Sequence, residues 1–205
     1  MTIAIIDYDV GNLKNVHTAL KDVDLDSVIT RDPAVIDGAQ AIILPGVGAF
    51  ADAMKNLEKF GLLETLNRNV AKGKILMGIC LGMQVLFDQS YEDGQWTGLG
   101  YIPGQVIRFD APGLTVPHMG WNNLMINRED PIARGITPED YVYFVHSYHA
   151  DPADFDAHVV AYTQYGGVRV PAIVRKDNVI GMQFHPEKSA AVGTRLLMNL
   201  KECLK

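Results

Sequence analysis

The sequence predicts an α/β fold: an open, mostly parallel sheet flanked by helices, with an antiparallel β-rich second half. Two observations carry this expectation. Over the first 87 residues, short apolar runs alternate with stretches of helical spacing, the rhythm of strands joined by crossover helices. Beyond residue 100 the helical stretches give way to closely spaced β-rich runs, which suit antiparallel or mixed pairing. No linker, internal repeat or low-complexity segment interrupts the pattern, so residues 1–205 are expected to form a single domain.

A strand at 2–7 opens the chain, followed by a helix near 12–22 and strands near 26–30 and 41–44. The last of these runs into Pro45-Gly46-Val47-Gly48-Ala49-Phe50, a glycine-rich loop that opens a helix near 51–59. Such a loop can aim backbone N–H groups, those of Val47 and Gly48, at a developing negative charge. An ordinary strand-to-helix turn or a phosphate cradle also fits, although the Gly-Lys-Ser/Thr ending and the full G-x-G-x-x-G pattern are both missing.

A second helix near 62–72 precedes a strand at 74–79 and a helix at 81–87. Between them lies Gly78-Ile79-Cys80-Leu81-Gly82-Met83-Gln84, a cysteine held between two glycines at a strand-to-helix elbow. This is the G-x-S-x-G device with sulfur in place of oxygen, and glycine relieves the crowding two residues either side of the nucleophile. The helix N-terminus favours thiolate at Cys80, and the Leu81 N–H is positioned to donate to an oxyanion. Gln84 lies one helical turn from Cys80 on the same face, where its amide can read a polar substrate group or simply sit on the helix surface. Alone, the elbow is equally a core turn around a small buried residue. It needs a base.

The second half supplies one. Short β-rich runs fall at 104–109, 122–126, 141–146, 158–164, 171–175 and 179–183, and the last ends in Gln183-Phe184-His185-Pro186-Glu187. Proline at 186 holds His185 extended, and in an extended segment residues i and i+2 share a side, so Glu187 can orient the imidazole. A turn with a surface carboxylate explains His-Pro-Glu equally well in isolation. Combined with the elbow, the segment completes a nucleophile, base and orienter in the order Cys80, His185, Glu187. A closing helix from Ala190 to Leu204 packs Val192, Leu196, Leu197 and Leu200 inward.

Composition narrows the classes of function. An apolar fraction of 48% and a charged fraction of 20% are those of an ordinary globular protein. A net charge of −6 argues against nucleic acid or an anionic membrane as partner, and no run is long and apolar enough to span a bilayer. The N-terminus has no basic region and enters a strand directly, so no signal peptide is expected. Cys80 and Cys203 lack both metal-ligand spacing and the density of a disulfide scaffold, which points to the cytoplasm and to no metal site or cofactor.

Together the three motifs resemble those of the class I (triad) glutamine amidotransferases: Gly78–Gln84 their nucleophile segment, His185-Pro186-Glu187 their base segment, and Pro45–Phe50 their oxyanion loop. Within that class, the glutaminase subunits of imidazole glycerol phosphate synthases are the most similar. That likeness rests on Val47-Gly48-Ala49-Phe50, Pro117-His118-Met119-Gly120-Trp121-Asn122 and Tyr143-Phe144-Val145-His146-Ser147-Tyr148, and the opening Ile6-Asp7-Tyr8-Asp9-Val10-Gly11-Asn12-Leu13 is also similar. Where the family often has glycine, this chain has Asp9, a residue that tolerates left-handed backbone better than most.

The resemblance implies hydrolysis of glutamine to glutamate and ammonia through a Cys80 thioester, with Val47, Gly48 and Leu81 holding the oxyanion. It implies that Gly48, Gln84, Ser147 and Tyr148 contact glutamine; without it, the histidine of His146-Ser147-Tyr148 reads as structural. It further implies a (β/α)₈ cyclase partner that takes up the ammonia for imidazole glycerol phosphate and histidine synthesis, with Asn12, Met119, Trp121 and Lys188 at the interface. Gly46 and Gly48 flank Val47, so its peptide can flip at low steric cost, and the oxyanion hole is expected to form fully only with the partner in place. Three alternatives stay open on sequence: a class I glutaminase serving another acceptor such as anthranilate synthase, an intracellular Cys-His-Glu hydrolase, and a catalytically silent binding subunit.

Overall fold

In the computed structural model, which describes residues 2–110 and 113–204, the first half of the chain follows the expected alternation. It runs β1 (Thr2–Ile6), α1 (Leu13–Lys21), β2 (Asp26–Thr30), α2 (Pro33–Gly38), β3 (Ala41–Gly46), α3 (Phe50–Lys59) and α4 (Leu62–Ala71). β4 (Ile75–Cys80) leads into the single turn α5 (Leu81–Gln84), then β5 (Phe87–Ser90), β6 (Trp96–Thr97) and β7 (Ile102–Arg108). The remainder comprises β8 (His118–Asn123), β9 (Met125–Ile126), β10 (Tyr141–His146), β11 (Tyr148–Pro152), α6 (Phe155–His158), β12 (Val159–Tyr165), β13 (Val168–Lys176), β14 (Val179–Met182) and α7 (Ala190–Cys203).

One eight-stranded sheet, in the order β2-β1-β3-β4-β14-β13-β12-β9, carries strands from both halves. β2, β1, β3, β4 and β14 run parallel, whereas β13, β12 and β9 pair antiparallel. The central strands are buried on both faces, so their side chains alternate between two cores. Ile3, Ile5, Ile43 and Met77 face one, covered by Val16 and Leu20 of α1 and by Leu196, Leu197 and Leu200 of α7. Ala4, Ile6, Ile42, Leu44 and Leu76 face the other, covered by Phe50, Ala53 and Leu57 of α3 and by Leu62 and Leu66 of α4. A two-stranded unit, β10 with β8, and a four-stranded sheet, β11-β7-β5-β6, complete the second half.

The structure departs from the sequence reading in several places: β5, β6 and β11 are not among the expected strands, and three further differences have a visible local cause. The helix expected at 81–87 stops at Gln84, because the Val85 and Leu86 carbonyls accept from Leu99, Tyr101 and Ile102 rather than from a following turn. The strand expected at 122–126 splits at buried Leu124 into β8 and β9, which belong to different sheets. Unforeseen α2 starts at an Asp32 cap, whose carboxylate accepts from the Ala34 N–H at 2.8 Å, with Pro33 in the first turn. Asp9 does take up the left-handed backbone, with φ +63°, and its carboxylate meets Arg31 at 2.8 Å. Among the described residues, no helix is long and apolar enough to cross a membrane.

Candidate functional site

Three neighbouring parallel strands, β3, β4 and β14, deliver the three sequence motifs to one edge of the sheet. Gly46 pairs with Cys80, and Ile79 pairs with Met182, so the loop after β3 and the segment after β14 flank the elbow on either side. Loops at the carboxyl ends of parallel strands are where α/β sheets form their clefts.

At the elbow Cys80 has φ +55° and ψ −110°, a backbone that ordinary residues avoid. Close approach of the chain to itself holds it there. A Cβ on Gly82 would overlap the Leu44 carbonyl, and one on Gly78 would overlap the Gly82 carbonyl. Gly82→Ala is therefore expected to lower stability by at least about 3 kcal/mol, the upper range for overpacking, read as a fall in the denaturant midpoint. A midpoint equal to that of the unaltered chain would show that the elbow has room to relax.

Gly46 is packed between the nucleophile turn and a buried tyrosine: a Cβ there would meet Gly82 N and Tyr8 Oη, each at 2.8 Å. The Tyr8 hydroxyl donates to the Pro45 carbonyl at 2.5 Å, supplying a partner beyond the last β1–β3 pair, Ile5 with Ile43. Gly48 has φ +101°, which requires glycine, and Val47 is exposed at 45%.

His185 and Glu187 are both almost fully buried, with Nδ1 2.8 Å from Oε1. The His185 backbone is fixed from β10: its N–H donates to the Tyr143 carbonyl at 3.1 Å, and Ser189 Oγ donates to its carbonyl at 2.6 Å. Burial by itself lowers the His185 pKa, but Cys80 and then Glu187 outweigh burial and raise it to about 9. At neutral pH the imidazole holds a proton beside the sulfur. Its Nε2 is buried and, among the described residues, meets no nitrogen or oxygen partner, which leaves the Cys80 sulfur as the group it serves.

Cys80 and His185 line one cavity of ≈ 410 Å³ together with Val47, Gly48, Leu81, Gln84, Glu92, Ser147 and Tyr148. Every residue expected at the oxyanion or substrate positions therefore borders the same space, with Glu187 behind His185. A larger cleft of ≈ 580 Å³, bordered by Asp130 and Arg134, has no Cys, Ser or His among its described lining residues. Gln84 is more engaged than its sequence position suggested: its Nε2 donates to the Tyr148 carbonyl at 2.9 Å and to Gln183 Oε1 at 3.2 Å.

Two participants escaped the sequence reading. Gln183 Nε2 lies 3.9 Å from Cys80 Sγ; its i, i+2 spacing to His185 was the available signal. Glu92 accepts from the Phe50 N–H at 2.6 Å, at the N-terminus of α3, and burial raises its pKa. Nothing in its local sequence marks it, because the contact spans 42 positions.

The four residues expected at a partner interface do not line the cavity. Met119 and Trp121 stand on one face of β8, exposed at 62% and 53%, opposite Val145 and Tyr143 of β10. Lys188 is exposed three residues after His185, and Asn12 precedes the first turn of α1. Among the described residues, no three His, Cys, Asp or Glu side chains are placed to hold a metal ion.

Solved structures share this architecture. A glutamine amidotransferase crystal structure superposes with a TM-score of 0.77 at 21% identity, over 98% of both chains. The Thermotoga maritima PurLQS structure also gives 0.77 at 20% identity, covering 100% of this chain and 99% of that one. Curated relatives are nearer in sequence. The imidazole glycerol phosphate synthase subunit HisH of Synechocystis sp. is 50% identical over 96% of this chain and 94% of its own length. HisH of Lactococcus lactis is 49% identical over 95% of each, and HisH of Aquifex aeolicus 46% over 98% and 96%. Residues 4–201 match the class-I glutamine amidotransferase family. With the nucleophile elbow, the His-Glu pair and this full-length identity in agreement, the chain belongs to the class I glutamine amidotransferases and, within them, to the imidazole glycerol phosphate synthase HisH family.

Proposed function

We propose that this chain hydrolyses glutamine with Cys80 as nucleophile, His185 as acid and base and Glu187 as the orienter of His185. The observation that carries the reading is the convergence of these groups on one cavity, with His185 protonated at neutral pH between sulfur and carboxylate. The Cys80 thiolate attacks the side-chain amide carbon, and the carbonyl oxygen becomes an oxyanion facing the N–H groups of Leu81 and the Val47–Gly48 loop. His185 gives its proton to the departing nitrogen, so ammonia leaves and a thioester remains. The neutral imidazole then takes a proton from water, which attacks the thioester and releases glutamate and the Cys80 thiolate. No redox step or cofactor is needed. Glu92 is the carboxylate bordering the cavity, so it is the group available to a free amino acid's ammonium, while Gly48, Gln84, Ser147 and Tyr148 form the remaining wall.

A diazoketone analogue of glutamine tests the reading. The expected result is one adduct, on Cys80 by peptide mass, with glutaminase activity lost in proportion. Glutamine turnover that survives complete labelling would overturn it, as would an adduct confined to Cys203.

The ammonia is delivered to a (β/α)₈ cyclase subunit, and the exposed Met119–Trp121 face, with Asn12 and Lys188, is its docking surface. Apolar side chains half or more exposed beside a catalytic cavity suit an interface core. Gating belongs to the same reading: the Val47 peptide completes the oxyanion hole when the ligand-loaded cyclase docks. Trp121→Ala is expected to weaken cyclase binding roughly 30-fold, about 2 kcal/mol for a buried aromatic anchor. Turnover by the isolated chain stays the same, and correspondingly more cyclase is needed for full stimulation. Equal glutaminase rates with and without cyclase would exclude gating, and an unchanged dissociation constant would remove Trp121 from the interface. Unpaired Cys80 and Cys203 suit a reducing compartment, so the cytoplasm is the proposed location.

A further inference from the structure

From His146 in the cavity wall back to Asn122 of β8, four groups form an unbroken polar chain that the hydrolytic steps do not use. A carbonyl only accepts, so His146 Nδ1, 2.8 Å from the Tyr148 oxygen, carries the proton and donates. Burial drives the His146 pKa down to about 3, so the ring is neutral and its Nε2 is a bare acceptor. His118 Nδ1, 3.1 Å from that nitrogen, must then be the donor. Burial holds His118 neutral too, near 4, leaving its Nε2 to accept from the Asn122 amide at 3.4 Å. Asn122 Nδ2 also donates to the Gln164 carbonyl at 3.1 Å, while its Oδ1 accepts the Asn123 N–H at 2.9 Å. Every proton in the relay has one direction.

The relay is held rigidly at both ends. His118 is stacked between Tyr165, with ring centroids 3.9 Å apart, and Phe144, at 4.7 Å, so it cannot swing out without losing both faces. At the far end the Tyr148 carbonyl is gripped a second time, by Gln84 Nε2 at 2.9 Å from the nucleophile helix. Gln84 in turn touches Gln183, whose amide reaches Cys80 Sγ. The Ser147–Tyr148 backbone is therefore fixed from β8 on one side and from the elbow on the other.

We infer that His146, locked in its Nδ1–H tautomer by His118, is a positioning residue that seats the Ser147–Tyr148 wall against substrate. The inference rests on the reading of the cavity as the glutamine site. If His118 did not donate, the buried Nε2 lone pair would be left unsatisfied, the preference set by the Tyr148 carbonyl would weaken, and part of the population would move the proton to Nε2. Two lone pairs, those of Nδ1 and the Tyr148 carbonyl, would then face each other across 2.8 Å and push the wall out of register. Substrate seating depends on this wall, whereas attack by Cys80 does not.

The test is His118→Phe in the complex with the cyclase, since phenylalanine keeps the stack and removes the donor. The expected result is a glutamine KM raised about tenfold, the scale of one lost hydrogen bond, with kcat little changed. By ¹⁵N NMR, His146 in the unaltered protein shows a protonated Nδ1 and a bare Nε2, and in the variant a mixture of tautomers. His146→Asn, which keeps an amide donor, is expected to hold a lower KM than His146→Leu. An unchanged KM in folded His118→Phe, a loss confined to kcat, or a protonated Nε2 in the unaltered protein each overturns the inference. If the variants do not fold, the tautomer of the unaltered protein decides alone. Failure of the unaltered complex to release glutamate from glutamine would instead sink the glutaminase reading, and the tautomer measurement would be untouched by it.

Discussion

Cys80→Ala, reconstituted with the cyclase, is expected to lose glutamine-dependent synthesis entirely while synthesis from added ammonium salt continues at the unaltered rate. The first half follows from covalent catalysis: removing a nucleophile that acts as a unit with its base costs about a million-fold in kcat. The second half follows from how little else the substitution disturbs. Alanine retains the Cβ that the φ +55° backbone already accommodates, and sulfur is the sole atom removed. The sulfur's contacts with the Val145 carbonyl at 4.0 Å and Gln183 Nε2 at 3.9 Å lie at the long limit for sulfur, so what the substitution chiefly removes is its interaction with His185, a group that synthesis from ammonium salt is not expected to need. The proposed docking face on β8 is separate from the elbow, and its exposed Met119 and Trp121 side chains are not touched by the substitution. The measurement is product formation under the two nitrogen sources. Loss of both activities would make Cys80 structural, and retention of both would mean that nitrogen reaches the product without this site.

The elbow and the His-Pro-Glu segment were legible in the sequence because each is a local device. Gly78, Cys80 and Gly82 encode a steric requirement within five residues, and His185 with Glu187 encodes an i, i+2 face. That they meet is a property of strand order: β14 inserts beside β4 after about a hundred residues, and no periodicity announces which strand will be neighbour to which. The same limit hid Glu92 and the Gln84–Gln183 contact, which join positions 42 and 99 residues apart from their partners. His146 illustrates the reverse case. In the sequence it is an unremarkable histidine at the end of a strand, and its role emerges only when β8 sets His118 opposite it in the ladder. The helix predicted beyond Gln84 failed for a related reason, since carbonyls at 85 and 86 were claimed by a loop some fifteen residues downstream. Local chemistry was readable; the identity of distant hydrogen-bond partners was not.

Glu187→Gln is expected to reduce kcat/KM by about three to four orders of magnitude while leaving Cys80 and His185 in place, as for other triads whose imidazole loses its carboxylate. Glu187 Oε1 lies 2.8 Å from His185 Nδ1 in a site that excludes water from both side chains. A carboxylate there only accepts, which fixes the proton on Nδ1 and points Nε2 toward the cavity. Glutamine can instead turn its NH₂ toward Nδ1, selecting the tautomer in which Nε2 carries the only proton and cannot take one from water. The pH dependence has a definite sign. Interaction with Cys80 and Glu187 raises the His185 pKa to about 9, so loss of one of these partners lowers it. The alkaline limb of kcat/KM, set by loss of the imidazolium proton, then moves to lower pH in the variant. Stability follows the same group. A raised folded-state pKa contributes stability fully below the unfolded value near 6.5, and that contribution is lost as pH rises through about 9. The stability difference between unaltered protein and variant is therefore largest near pH 6 and shrinks above pH 9, measured by denaturant unfolding across that range. A pH-independent difference, or an alkaline limb that stays where it was, would mean that the buried carboxylate does not communicate with the imidazole, and His185 would have to be oriented by its backbone contacts to Tyr143 and Ser189 alone.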